Sequence, residues 1–105
     1  MIYLMIRQKV RPGKRGECER ACAESVRIWQ KHGCVVIGPW TNWIGGDVDE
    51  VIYILPFKDF AEYQDIDTKA HDDPDWTSFL RMIGEGSMGR STELFRPVAH
   101  STPQQ

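Results

Sequence analysis

At 105 residues the chain has the length of one domain, and 41% hydrophobic with 27% charged residues is the composition of an ordinary globular protein. A net charge of −2 leaves no overall field to draw in nucleic acid or an acidic membrane surface. The three cysteines, Cys18, Cys22 and Cys34, form an odd set with no Cys-x-x-Cys spacing, which argues against a disulfide framework and for a reducing compartment, the cytoplasm by default.

The apolar start Met1–Ile6 stops at Arg7 without a basic leader or a cleavage site, so it reads as a strand rather than a signal peptide. No run is long enough to cross a bilayer. That first strand covers Ile2–Val10, with Ile2, Leu4 and Ile6 on one face and Tyr3, Met5 and Arg7 on the other. After the Arg11–Lys14 loop, Gly16–His32 reads as a helix. Its inward stripe is Cys18, Ala21, Cys22, Ser25, Ile28 or Trp29, and His32, and Gly33 stands in the C′ position. A second strand over about Cys34–Ile44 and a third over about Val51–Pro56 flank Gly45-Gly46-Asp47, a hairpin signal. Asp59 with Glu62 forms a capping-box pattern, and a helix with the stripe Phe60, Tyr63, Ile66 and Ala70 follows to about Asp72. Asp73-Pro74 restarts a helix whose inward residues are Trp76, Phe79, Leu80 and Ile83, and Gly84 and Gly86 break it. Met88–Pro97 is the last strand. Residues 1–98 are read as one domain, and 99–105 as a flexible tail.

The order β-α-β-β-α-β is the split arrangement of ferredoxin-like α+β folds: a four-stranded antiparallel sheet with helices on one face. Helices on one face leave the other bare. That second face carries Tyr3, Met5 and Arg7. The third strand adds either Val51, Tyr53 and Leu55 or Ile52 and Ile54, and the second adds Val36 and Trp40 or Val35 and Ile37. Monomers rarely leave several hundred Å² of apolar surface wet. At roughly 25 cal/mol per Å², covering it contributes several kcal/mol. A second copy, sheet against sheet with two-fold symmetry, is the expected cover.

The chain resembles the NIPSNAP family of the dimeric α+β barrel superfamily. The resemblance is carried by Val10-Arg11-Pro12-Gly13-Lys14, Lys31-His32-Gly33, Ile37-Gly38-Pro39-Trp40-Thr41, the run Val51–Phe57, Asp73-Pro74-Asp75-Trp76 and Glu93-Leu94-Phe95-Arg96-Pro97, spanning roughly residues 2–98. The chain departs from the family where a Trp-x-Tyr is frequent in the third strand and Ile54-Leu55-Pro56-Phe57 stands here. The resemblance implies a homodimer with a central cavity and says little about chemistry, because relatives run unrelated reactions on one frame.

Gly84-Glu85-Gly86-Ser87-Met88-Gly89 matches G-x-G-x-x-G but lies between a helix and a strand, the reverse of a dinucleotide site, and reads as a helix-stop loop. Cys18 and Cys22, one turn apart, lack a second ligand pair and read as small core residues, so no metal site is expected. No cofactor is called for. The basic run Arg11–Arg20 at a helix N-terminus reads as a solvated surface. The third strand lacks the stacking aromatics of RNA-binding domains, so no nucleic acid partner is expected, and no membrane.

Five residues are the site candidates. Arg7, mid-strand, needs an acceptor, either Glu93 on the last strand or a ligand carboxylate held bidentately. Trp40 and Tyr3 belong to an aromatic set that packs or walls a pocket. Tyr53 and His71 are the candidate proton movers, histidine because its ordinary titration lies near neutrality. Two readings therefore stand side by side. One is a cofactor-independent enzyme acting on a small apolar or aromatic metabolite in the barrel cavity, with substrate contacts at Arg7, Trp40 and Tyr3 and catalytic groups at Tyr53 and His71. The other is a non-catalytic ligand-binding or protein-interaction module.

Overall fold

The computed structural model describes residues 1–46 and 48–99. Its elements are β1 (Ile2–Val10), α1 (Arg15–Lys31), β2 (Ile37–Thr41), β3 (Glu50–Phe57), α2 (Phe60–Asp72), α3 (Asp75–Gly86) and β4 (Ser87–Phe95). The strands form one sheet in the order β2-β3-β1-β4, with every neighbouring pair antiparallel. This is the ferredoxin-like α+β arrangement expected from the sequence. The expected tail lies, but for Ala99, outside the described residues.

Strand alternation divides the sheet into two faces. Leu4, Ile6, Gln8 and Val10 of β1, with Val51, Tyr53, Leu55 and Phe57 of β3, turn inward and are buried under the helices. Tyr3, Met5, Arg7, Ile52 and Ile54 take the outer face, which settles the choice the sequence left open in β3. In β2, Ile37 stands opposite Ile54 and Trp40 opposite Ile52, so both lie on the outer face although three residues apart. A register shift between them makes this possible. The alternating sets read from the sequence are therefore mixed, because one extra residue in a bulge flips the parity of everything beyond it.

β2 is shorter than the predicted Cys34–Ile44, and its ladder is broken within. Pro39 has no N–H to give the ladder, and Gly38 sits at φ +99° where a Cβ would lie 3.1 Å from the Ile52 carbonyl oxygen. Beyond Thr41 the chain leaves the ladder, and the Asn42 side chain takes over: its Oδ1 accepts from the Glu50 N–H at 2.8 Å.

The helices are set by their ends. The Gly33 N–H donates to the Gln30 carbonyl and the Cys34 N–H to the Trp29 carbonyl, both at 3.0 Å, a Schellman closure with Gly33 at φ +89° as read from the sequence. Asp59 caps α2 by accepting from the Glu62 N–H at 2.9 Å. The return arm of the box falls on Lys58, whose N–H donates to Glu62 at 3.1 Å. Asp73 accepts from the Asp75 N–H at 2.9 Å and so opens α3.

α1 buries Cys18, Ala21, Cys22 and Ser25 as predicted and both Ile28 and Trp29, whereas His32, expected in the same stripe, is the half-buried C-cap. All three cysteines are buried free thiols, and burial pushes Cys34 up to about 12, so thiolate chemistry is closed to it. Two expectations are corrected. Phe60 is exposed rather than inward, since α2 turns its Ile66–Ala70 line to the core. Gly84 does not break α3. The helix runs on to Gly86 and passes straight into β4, because Gly86 packs against α1 where a Cβ would lie 2.6 Å from the Cys18 Cα. The second glycine of the G-x-G-x-x-G run is thus a helix-to-helix contact, and no loop forms there.

Candidate functional site

The five candidates fall in three places. Tyr3, Arg7 and Trp40 lie on the outer face of the sheet. There Arg7 pairs with Glu93 at 3.5 Å, the acceptor expected from the sequence, and also with Glu50 at 3.6 Å. Trp40 is half exposed, and a hollow of about 200 Å³ that it walls at the β2 edge is shared with helix-side residues, Glu19 of α1 and Val51, and with Pro39 and Thr41. Tyr53 is in the core instead. It is 1% exposed, its hydroxyl donates to Ser25 Oγ at 3.0 Å, and burial raises its phenol well above the ordinary tyrosine range. It stands in the wall of none of the described cavities.

His71 stands apart, on the helix side. The helices leave β4 largely uncovered, and its residues Met88–Phe95 are exposed. Between β4 and the α2–α3 pair a cleft opens. Its larger part, about 460 Å³, is walled by Trp76, Phe79, Leu80 and Ile83 of α3, with Gln8, His71, Ser87 and Arg90 among its polar groups. A smaller part, about 200 Å³, shares His71 and Arg90 and adds Leu4, Ile6, Trp29, Tyr63, Asp67 and Thr92. Leu80, expected in the core, is half exposed because it lines this opening.

His71 is held in one tautomer. Its Nδ1 lies 2.7 Å from the Asp67 backbone oxygen one turn earlier. A carbonyl only accepts, so Nδ1 carries the proton and Nε2 of the neutral ring is left to take one. The Asp67 carboxylate lies 3.3 Å from the same nitrogen. The ring is seated by Trp76, with centroids 4.4 Å apart, and meets Trp29 edge-on at 6.3 Å. A base held by a third group beside an apolar cavity is the arrangement general acid–base chemistry requires. Among the described residues no group of three or more His, Cys, Asp or Glu is placed to hold a metal ion.

Arg90 and Asp67 were not singled out from the sequence, and Trp29 only as a core residue. Arg90 faces Gln8 across the β1–β4 ladder and so lies on the cleft side with Thr92 and Leu94. A cation on the helix-facing parity of an edge strand was the available signal. It is weak, because Gly89–Thr92 carries no apolar residue to fix the parity.

A four-stranded antiparallel sheet with helices on one face defines a ferredoxin-like α+β protein. The NIPSNAP family model matches residues 3–102, and the chain belongs to that family. Similar solved structures include an uncharacterized NIPSNAP domain protein from Burkholderia xenovorans. It has TM-score 0.81 and 19% identity, over 98% of this chain and 100% of that one. Protein Atu4242 from Agrobacterium tumefaciens is alike at TM-score 0.81 and 20% identity, over 96% and 97%. SnoaB from Streptomyces nogalater, a cofactor-independent oxygenase, shares the fold at TM-score 0.65 and 15% identity, over 95% and 97%. No protein of curated function matches the chain. Among the described residues no helix is long and apolar enough to cross a membrane.

Proposed function

We propose that this NIPSNAP protein is a cofactor-independent enzyme that moves a proton on a small apolar or aromatic metabolite. The reaction takes place in the cleft on the helix side of the sheet. The observation that carries this is the fixed tautomer of His71, whose Nδ1 is 2.7 Å from the Asp67 carbonyl in a cavity walled by Trp76 and Phe79. His71 Nε2 takes the proton and the Asp67 carboxylate balances the charge that results. The likeness to a cofactor-independent oxygenase supports the class of protein and names no reaction for this chain.

The protein works as a homodimer in the cytoplasm. The outer face, with Met5, Ile37, Trp40, Ile52 and Ile54 around the Arg7–Glu50–Glu93 group, supports the dimer. The three free thiols support a reducing compartment. The hairpin tip favours a second reading, an interaction module: Trp43 is 92% exposed and Ile44 88%.

Deuterium exchange at the acidic C–H of a panel of small cyclic and aromatic ketones, followed by proton NMR, tests the enzyme reading. His71→Gln is expected to slow exchange about a hundredfold or more. Exchange at the wild-type rate in that variant, or no catalysed exchange across the panel, overturns it.

A further inference from the structure

Resting on the reading of this cleft as a ligand site, we propose that its ligand is a flat aromatic carboxylate, with Arg90 holding the carboxylate and α3 walling the ring. Arg90 is the starting point. Arg7, Arg15, Arg20 and Arg27 each pair with a carboxylate, Arg11, Arg81 and Arg96 pair with none among the described residues, and none of these seven lines the cleft. Among the described residues Arg90 pairs with none, yet it stands in the walls of both parts of the cleft. A guanidinium presents two parallel N–H donors that match a carboxylate's two oxygens.

The neighbours of Arg90 set the rest of the ligand. Trp76, Phe79 and Ile83 supply apolar wall, with Trp76 and Phe79 rings 4.8 Å apart, which suits a planar ring system better than a sugar or a flexible polyol. A volume of about 460 Å³ accommodates one or two fused rings. The smaller part of the cleft adds further apolar wall. Trp29 lines it at 2% exposure, and its indole Nε1 is the one buried side-chain nitrogen or oxygen among the described residues without a hydrogen-bond partner. Buried donors are normally paired. That nitrogen is closed off from solvent and so offers nothing to a ligand, and Trp29 contributes apolar wall. Asp67 stands in the same wall, so the cleft opposes one cation to one anion. That balance suits a singly charged carboxylate and works against a phosphate, which brings a second negative charge towards Asp67.

Arg90 is thus the anion anchor that the sequence suggested at Arg7. Arg7 is on the opposite face of the sheet, already engaged by Glu50 and Glu93.

The test titrates the full chain with 2-naphthoate, neutral 2-naphthalenemethanol and 2-naphthyl phosphate, following tryptophan fluorescence and confirming the constants by calorimetry. The wild type is expected to bind naphthoate most tightly of the three. Arg90→Gln is expected to weaken naphthoate about ten- to a hundredfold, leaving the alcohol unchanged. Arg90→Lys recovers part of the loss and Arg7→Gln causes none. Arg90 is exposed, so its variants keep the wild-type fold, checked by circular dichroism. Equal naphthoate binding in Arg90→Gln, equal or tighter binding of the alcohol or the phosphate, or no binding of any probe at millimolar concentration overturns the proposal. Arg90-dependent binding without turnover leaves this inference standing and removes the catalytic reading. Turnover of neutral substrates indifferent to Arg90 does the reverse.

Discussion

Tyr53 shows how one residue's role turns on one parity. Its strand reads Val51-Ile52-Tyr53-Ile54-Leu55, apolar at every position, so alternation alone leaves both faces open. The structure puts the ring inward, where its hydroxyl donates to Ser25 on α1 and burial keeps the phenol protonated. Tyr53→Phe is therefore expected to cost about 1 kcal/mol, since Ser25 keeps a buried hydroxyl with its donor removed. The melting temperature falls by a few degrees, and naphthoate affinity stays at the wild-type value; a thermal melt and one titration check both. A large loss of affinity with an unchanged melting temperature would return Tyr53 to the site. Arg7 was the easier reading. Glu93 was the one carboxylate placed to meet it on the last strand. Arg90 was hidden because β4 is polar on both parities and only its register against Gln8 assigns the face.

Among the elements, the junction of α1 with α3 is the most tightly specified. The Asp73 carboxylate accepts from Lys31 Nζ at 2.6 Å, His32 Nε2 at 2.7 Å and the Asp75 N–H at 2.9 Å. Lys31 first, then the Asp75 N–H and His32, hold the Asp73 carboxyl well below the usual carboxylate range. A group whose folded value is depressed stabilises the fold above its ordinary value, about 3.9, and loses that contribution as pH falls further. Asp73→Asn is thus expected to melt below the wild type at pH 7, with the difference shrinking by pH 3. A gap that stays constant between those two pH values contradicts this.

The sequence showed Asp73 as a cap and Gly33 as a helix end, because capping is a local matter of side chain and backbone. It misread Gly84-Glu85-Gly86 as a break, since the reason for Gly86 is the α1 backbone pressed against it from far away in the chain. β2 was overdrawn because the apolar pattern runs on through Val35, Trp43 and Ile44, which lie outside the ladder.

For the whole molecule the two sheet faces divide the work. The helix side carries the core and, along β4 where the helices stop short, the cleft with His71, Arg90 and Trp29. The outer side carries Met5, Ile52, Ile54 and Trp40, apolar and without helical cover, around a self-contained ion-pair group. The sequence made the second face legible, because one layer of helices cannot cover two apolar faces. It placed the ligand on that same face, between two copies, whereas the reading proposed above places it in the cleft behind the sheet. In this account the outer face meets a second copy and the cleft meets the ligand. NMR shift mapping of the labelled protein separates the two in one measurement. With 2-naphthoate, the account predicts shifts at the Gly89, Arg90 and Thr92 amides and the Trp29 and Trp76 indoles. Met5, Ile52 and Ile54 move only on dilution. Naphthoate shifts centred on Met5, Ile54 and Trp40, with the β4 amides unmoved, would contradict it.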